Sequence, residues 1–236
     1  MSSPGADESV AAPPDLAPLL ESALIRTELS EEDVVRGCQE ARQLGVAAVV
    51  LRPSDVDSVA RQLKDSPIVL GALVDSPHGY STTPAKIYAT QDLLRRGVRQ
   101  IDTVMNTGKL ISRQFQFLEM ELLQMADACH QSGAVLAVNL EGEYLNEELD
   151  LVACRIARRA GADYIGASRL EDVPLLVTNS RDRLKIKCHA LSVDLEQVLA
   201  LRNAGCARIR VSAPDSILTA WKAQQSPANQ PPAASH

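Results

Sequence analysis

Several things are scarce in this chain of 236 residues. Aromatic side chains make up only 3% of it, with one Trp and two Phe, and the net charge is −6, from 24 basic and 30 acidic residues. With no basic stripe and no aromatic platform, nothing tracks a phosphate backbone or stacks bases, so nucleic acid is excluded as an expected partner. No run approaches the 18 uninterrupted apolar residues of a membrane span. The first residues, Met1 to Pro14, are rich in Ser, Pro, Ala and acid rather than basic and then apolar. These absences lead to the expectation of a soluble, cytoplasmic protein with no membrane association. The cysteines, Cys38, Cys129, Cys154, Cys188 and Cys206, stand singly with no Cys-x-x-Cys pair, which reads as reduced core thiols. No His, Cys or carboxylate spacing suggests a metal site, and no cofactor motif is present.

What is present is rhythm. With 45% hydrophobic residues the chain can bury a full core, and short apolar runs alternate with amphipathic stretches about eight times. Strands are expected near Ala23–Ile25, Ala47–Leu51, Ile68–Val74, Gln100–Met105, Val135–Leu140, Asp163–Ala167, Leu184–Cys188 and Arg208–Ser212. Most are continuous Val, Ile and Leu runs, the pattern of strands covered on both faces. Helix starts are readable at Ser30-Glu31-Glu32-Asp33, a capping box, at Thr82-Thr83-Pro84, and at Asn146-Glu147-Glu148. Gly45, Gly97, Gly133, Gly161 and Gly205 fall where helices should stop. Eight such repeats predict an α/β fold, a (β/α)8 TIM barrel, over residues 16–223, with an open doubly wound sheet as the alternative. Residues 1–15 and 224–236 are expected to be disordered tails.

In a barrel of this kind the chemistry lies at the carboxyl ends of the strands. Period two, started from Asp102, turns Val104 and Asn106 inward with it. On the following strands it turns in Ala137, Asn139 and Glu141, then Tyr164, Gly166 and Ser168, then Lys185 and Lys187.

Three segments carry a resemblance. Ala160-Gly161-Ala162-Asp163-Tyr164-Ile165-Gly166-Ala167-Ser168 resembles strand six of the deoxyribose-phosphate aldolase family. Ile101-Asp102-Thr103-Val104-Met105-Asn106-Thr107-Gly108 resembles that family's strand four, and Leu184-Lys185-Ile186-Lys187 its strand seven. The resemblance spans about residues 16 to 222 and implies a class I aldolase barrel, in which an amine attacks a carbonyl to form a Schiff base. Carried over by motif, Asp102 matches the proton-relay aspartate and Lys187 the second, pKa-lowering lysine. Asn106, Glu141 and Ser168 fall at substrate-binding positions. Gly166 stands where the Schiff-base lysine belongs, and Ala137 where a third lysine usually lies.

The phosphate grip also departs from the family. Cys188-His189-Ala190-Leu191-Ser192-Val193-Asp194 replaces a Gly-Gly run, and the segment between Ser168 and Leu184 is shorter than the family's. Asp102 with Lys187, and Glu141 with Lys185, can each be read as a buried ion pair. His78 reads as structural or solvent-facing, and His189 as a lone histidine. Three functions stay open. One is an inactive aldolase-like barrel serving as a binding or assembly module for a protein partner or small molecule, with homo-oligomerisation left open. Another is a remodelled Schiff-base lyase using Lys187 or Lys185. The third is cleavage of 2-deoxyribose 5-phosphate to glyceraldehyde 3-phosphate and acetaldehyde.

Overall fold

A computed structural model describes residues 15–180, 184–189 and 191–225. Eight parallel strands close into one barrel: β1 Leu20–Leu24, β2 Ala48–Leu51, β3 Val69–Val74, β4 Gln100–Val104, β5 Val135–Asn139, β6 Tyr164–Ala167, β7 Lys185–Cys188 and β8 Arg208–Val211. β1 pairs with both β2 and β8, so the sheet has no edge and the doubly wound alternative is overturned. Around it run α1 Glu31–Leu44, α2 Val56–Ala60, α3 Thr83–Arg95, α4 Thr107–Ile111, α5 Phe115–Gln131, α6 Glu147–Arg159, α7 Val173–Asn179, α8 Leu195–Asn203 and α9 Pro214–Gln225.

Local chemistry sets the element boundaries. Ser30 caps α1 through a complete capping box with Asp33, and the Asn146 side chain accepts from Leu149 N–H at the start of α6; a cap of this kind contributes about 1 kcal/mol. The five helix-stop glycines all take positive φ. The last helix runs to Gln225, two residues past the expected boundary at 223. Residues 1–14 and 226–236, where tails were expected, and Ala190 lie outside the described residues.

Apolar side chains from the outward faces of the strands meet the helices in one continuous layer, with Val49, Leu51, Ile101, Val138, Ile165, Ile186 and Ile209 all essentially inaccessible. That layer fixes the strands and leaves their inward faces free to carry polar groups. Strand register then places specific residues side by side: Gly166 is aligned with Asn139 on one flank and Lys187 on the other, and Glu21 with Arg210.

Candidate active site

Among the described residues, four buried charges meet in the barrel interior. Lys187 Nζ lies 2.6 Å from Glu21 Oε2 and 2.8 Å from Asp102 Oδ1. Arg210 contacts the same Asp102 oxygen through a terminal guanidinium nitrogen, and its Nε is 3.6 Å from Glu21 Oε2. Gln100 Nε2 donates to Asp102 Oδ2 at 2.8 Å and to Glu21 Oε1 at 3.2 Å. Two carboxylates thus face two cations, so the cluster is formally neutral. Burial pushes the Asp102 carboxyl up, but Arg210 and Lys187 together pull it further the other way, leaving it below the usual carboxylate range. The expected Asp102–Lys187 pair is therefore half of a larger arrangement. Its other half, Glu21 and Arg210, carries a sequence signal of its own: β8 reads Arg208-Ile209-Arg210-Val211, an alternation that turns both arginines one way.

Above this cluster, at the carboxyl ends of the strands, opens a cavity of about 470 Å³. Its polar lining includes His78, Asn139, Glu141, Ser168, His189 and Arg210, set among Leu73, Val104, Leu140 and Leu191. Asp102 and Lys187 do not line it. Both are 0% exposed and lie beneath its floor.

Two other expected site residues reach the cavity wall. Glu141 Oε1 is 3.5 Å from His78 Nδ1, and Ser168 Oγ accepts from Gly142 N–H at 2.9 Å. Asn106 does not: its side chain accepts from Lys109 N–H and caps α4. Lys185 is also placed differently from expectation. It is exposed at the amino-terminal mouth, with Nζ 5.8 Å from the Tyr164 ring centroid, and so pairs neither with Lys187 nor with Glu141.

Gly166 is closely covered. A Cβ there would overlap Asn139 Oδ1 and lie 3.0 Å from His189 Nδ1. Asn139 thus occupies the start of the path that a lysine side chain would follow. Burial, reinforced by the Arg210 and Lys187 charges, pushes the His189 imidazole down to about 3, so it is neutral near pH 7. The loop bearing His78 is anchored from behind. Buried Lys86 donates to Gly79 O and to Glu121 Oε1, both at 2.7 Å, and reaches Asp75 Oδ2 at 3.4 Å. Gly79 presses so closely on Val104 that a Cβ would lie 2.9 Å from its carbonyl carbon.

The closed parallel barrel, with a cavity at the strand carboxyl ends, defines the class as a (β/α)8 barrel. Comparisons narrow this. The deoxyribose-phosphate aldolase of Bacteroides thetaiotaomicron is 30% identical over 215 residues, covering 88% of this chain and 90% of that protein. The one from Aciduliprofundum boonei is 30% identical over 206 residues, 84% of this chain and 93% of its own. Among solved structures, an aldolase designated QR15 superposes with a TM-score of 0.83 at 26% identity, covering 89% of this chain and 97% of that one. No family model matches the sequence. The chain belongs to the deoxyribose-phosphate aldolase family.

Proposed function

We propose that this chain is a non-catalytic member of its family, whose barrel serves as a binding or assembly module for a small-molecule or protein partner. One observation carries the reading: among the described residues, no lysine amine lines the cavity. Gly166 has no side chain, and the Lys187 ammonium is sealed between Glu21 and Asp102. Schiff-base formation needs an amine with access to the carbonyl, and Lys187 is fully buried with a carboxylate against it on either side. Lys185 offers no substitute, because it emerges at the opposite mouth of the barrel.

Support also comes from the anion site. A phosphate would seek the amino terminus of α8, and there the Asp194 carboxylate accepts from Gln197 N–H at 2.9 Å. Leu191, beside it in the chain, lines the cavity. The expected placement in a reducing, cytoplasmic compartment is consistent with five buried cysteines, none in a disulfide. Self-association is part of the proposal; the structural relative from Aeropyrum pernix is described as tetrameric.

The names of the relatives favour the alternative, cleavage of 2-deoxyribose 5-phosphate. One experiment separates the two: incubation with 2-deoxyribose 5-phosphate and a panel of small aldehydes under borohydride, followed by intact mass, alongside a cleavage assay. The expected result is unmodified protein and no cleavage above buffer. A reduced adduct mapped by peptide mass to Lys187, or turnover near about one per second, at the low end of ordinary enzyme rates, overturns the proposal.

A further inference from the structure

Two polar atoms on the cavity floor are left unused by the fold. Asn139 is 4% exposed and its Oδ1 has no hydrogen-bond partner in the protein; buried His189 Nδ1 has none either. The direction of the amide is set from below. Asn139 Nδ2 faces Asp102 Oδ1 at 3.5 Å, and a carboxylate can only accept, so Oδ1 turns to the Gly166 side. Both atoms therefore converge on the point from which a residue-166 side chain would have left the backbone. A buried acceptor without a partner is unfavourable, which makes such a pair a demand for a ligand group of the right polarity.

The surroundings define that polarity. A phosphate or carboxylate brought to this floor would meet the Asn139 oxygen and pass Glu141 and Glu143, both in the cavity lining. An ammonium would approach Arg210, which lines the same floor and already serves two carboxylates. A hydroxyl suits the site, since it both donates and accepts: it can donate to Asn139 Oδ1 and complement either tautomer of a neutral imidazole. The apolar walls of Leu73, Val104 and Leu140 suit the C–H faces of a sugar or short polyol.

We propose that the cavity binds a neutral, unphosphorylated polyhydroxy compound non-covalently, with one hydroxyl held between Asn139 Oδ1 and His189 Nδ1. The inference rests on the non-catalytic reading above and names the class of ligand that the module takes. Its specificity is the reverse of a sugar-phosphate site: adding a phosphate weakens binding.

The test uses the full-length protein and a matched pair of probes, 2-deoxyribose and 2-deoxyribose 5-phosphate, titrated by calorimetry and saturation-transfer NMR. The neutral sugar is expected to bind, and its phosphate ester at least about tenfold more weakly, the equivalent of one lost hydrogen bond to a buried group. Asn139→Leu and His189→Phe are each expected to weaken the neutral sugar by about tenfold, with folding checked by circular dichroism. Because Asn139→Leu can perturb Asp102, a second measurement uses Glu141→Gln with Glu143→Gln at the rim, expected to narrow the gap between the two probes. Failure of the neutral sugar to bind at tens of millimolar, or tighter binding of the ester, overturns this inference alone. A borohydride-reduced adduct mapped to Lys187 overturns the non-catalytic reading and the non-covalent mode with it.

Discussion

Lys187 Nζ is closer to Glu21 Oε2, at 2.6 Å, than to Asp102 Oδ1, at 2.8 Å. Glu21 is on β1, two strands from β7 around the closed barrel, whereas Asp102 on β4 is three strands away, so acids from both directions hold the lysine. Its energetic role follows from burial. Two acids and two bases removed from water together are tolerable, whereas three are not.

Lys187→Met is therefore expected to lower stability by about 3–5 kcal/mol, the range for breaking a fully buried pair. Urea unfolding at neutral pH measures it. A variant within about 1 kcal/mol of wild type would mean that the cluster is wetter than its burial implies.

Gly166→Lys is expected neither to restore cleavage nor to fold as well as wild type. The new side chain must displace Asn139 and His189, and overpacking of this kind typically costs about 1–3 kcal/mol. Adding Asn139→Ala should return part of that loss by opening the path. A single Gly166→Lys variant with full stability and aldolase turnover would contradict both halves.

The pH dependence of stability should carry a His189 signature. Folded-state His189 stays neutral down to about 3, while an unfolded histidine takes a proton near its ordinary value of 6.5. Between those values the unfolded state binds more protons, so stability falls as pH drops below 6.5. Comparing wild type with His189→Gln from pH 7 to pH 5, the wild type should lose about 1–2 kcal/mol more than the variant. Parallel curves would rule this out.

Asp150, buried on α6, should act with the opposite sign. Burial, and then the nearby Asp172 carboxylate, push its carboxyl up from 3.8 to about 6. Here the folded state binds more protons between those values, so the ionised group is a liability that grows as pH rises through about 4 to 6. Asp150→Asn is expected to be more stable than wild type at pH 7 by about 1–2 kcal/mol, with the difference fading near pH 4. Equal stability at pH 7 would show that Asp150 is better solvated than it looks.

Thiol chemistry gives a further check. Burial pushes the Cys38 and Cys206 thiols up to about 12. Neither forms thiolate near pH 8 while folded, so a disulfide-exchange reagent should leave both unmodified in the native protein and label them promptly in denaturant. Rapid native-state labelling at Cys38 or Cys206 would contradict their placement in the core.

Much of this was legible in the sequence, and the limits were physical. Strands covered on both faces write continuous apolar runs, and helix ends in the left-handed region write glycine, so β2 to β8 begin and end within about two residues of expectation. β1 was misplaced by three residues at its start because buried Glu21 breaks its apolar run. Period two correctly gives the side to which a strand residue points but says nothing of its height in the barrel. That is why Lys185, assigned to the cavity, belongs to the other mouth, and why Asp102 and Lys187 lie under the floor rather than on it. Asn106 looked like a cavity residue because a helix cap and a binding amide share the same side chain. Glu21 and Arg210 could not be joined to the Asp102–Lys187 pair from the sequence, because spacing along the chain does not say which side chains a closed barrel brings together in its interior.

The crowding around Gly166 also bears on substitution. The Asn139 amide fills the space where a side chain at residue 166 would start, so any residue larger than glycine there must first swing that amide aside. The amide works as a latch: one side chain settles both what residue 166 can carry and which of its own faces Asn139 turns away from Asp102.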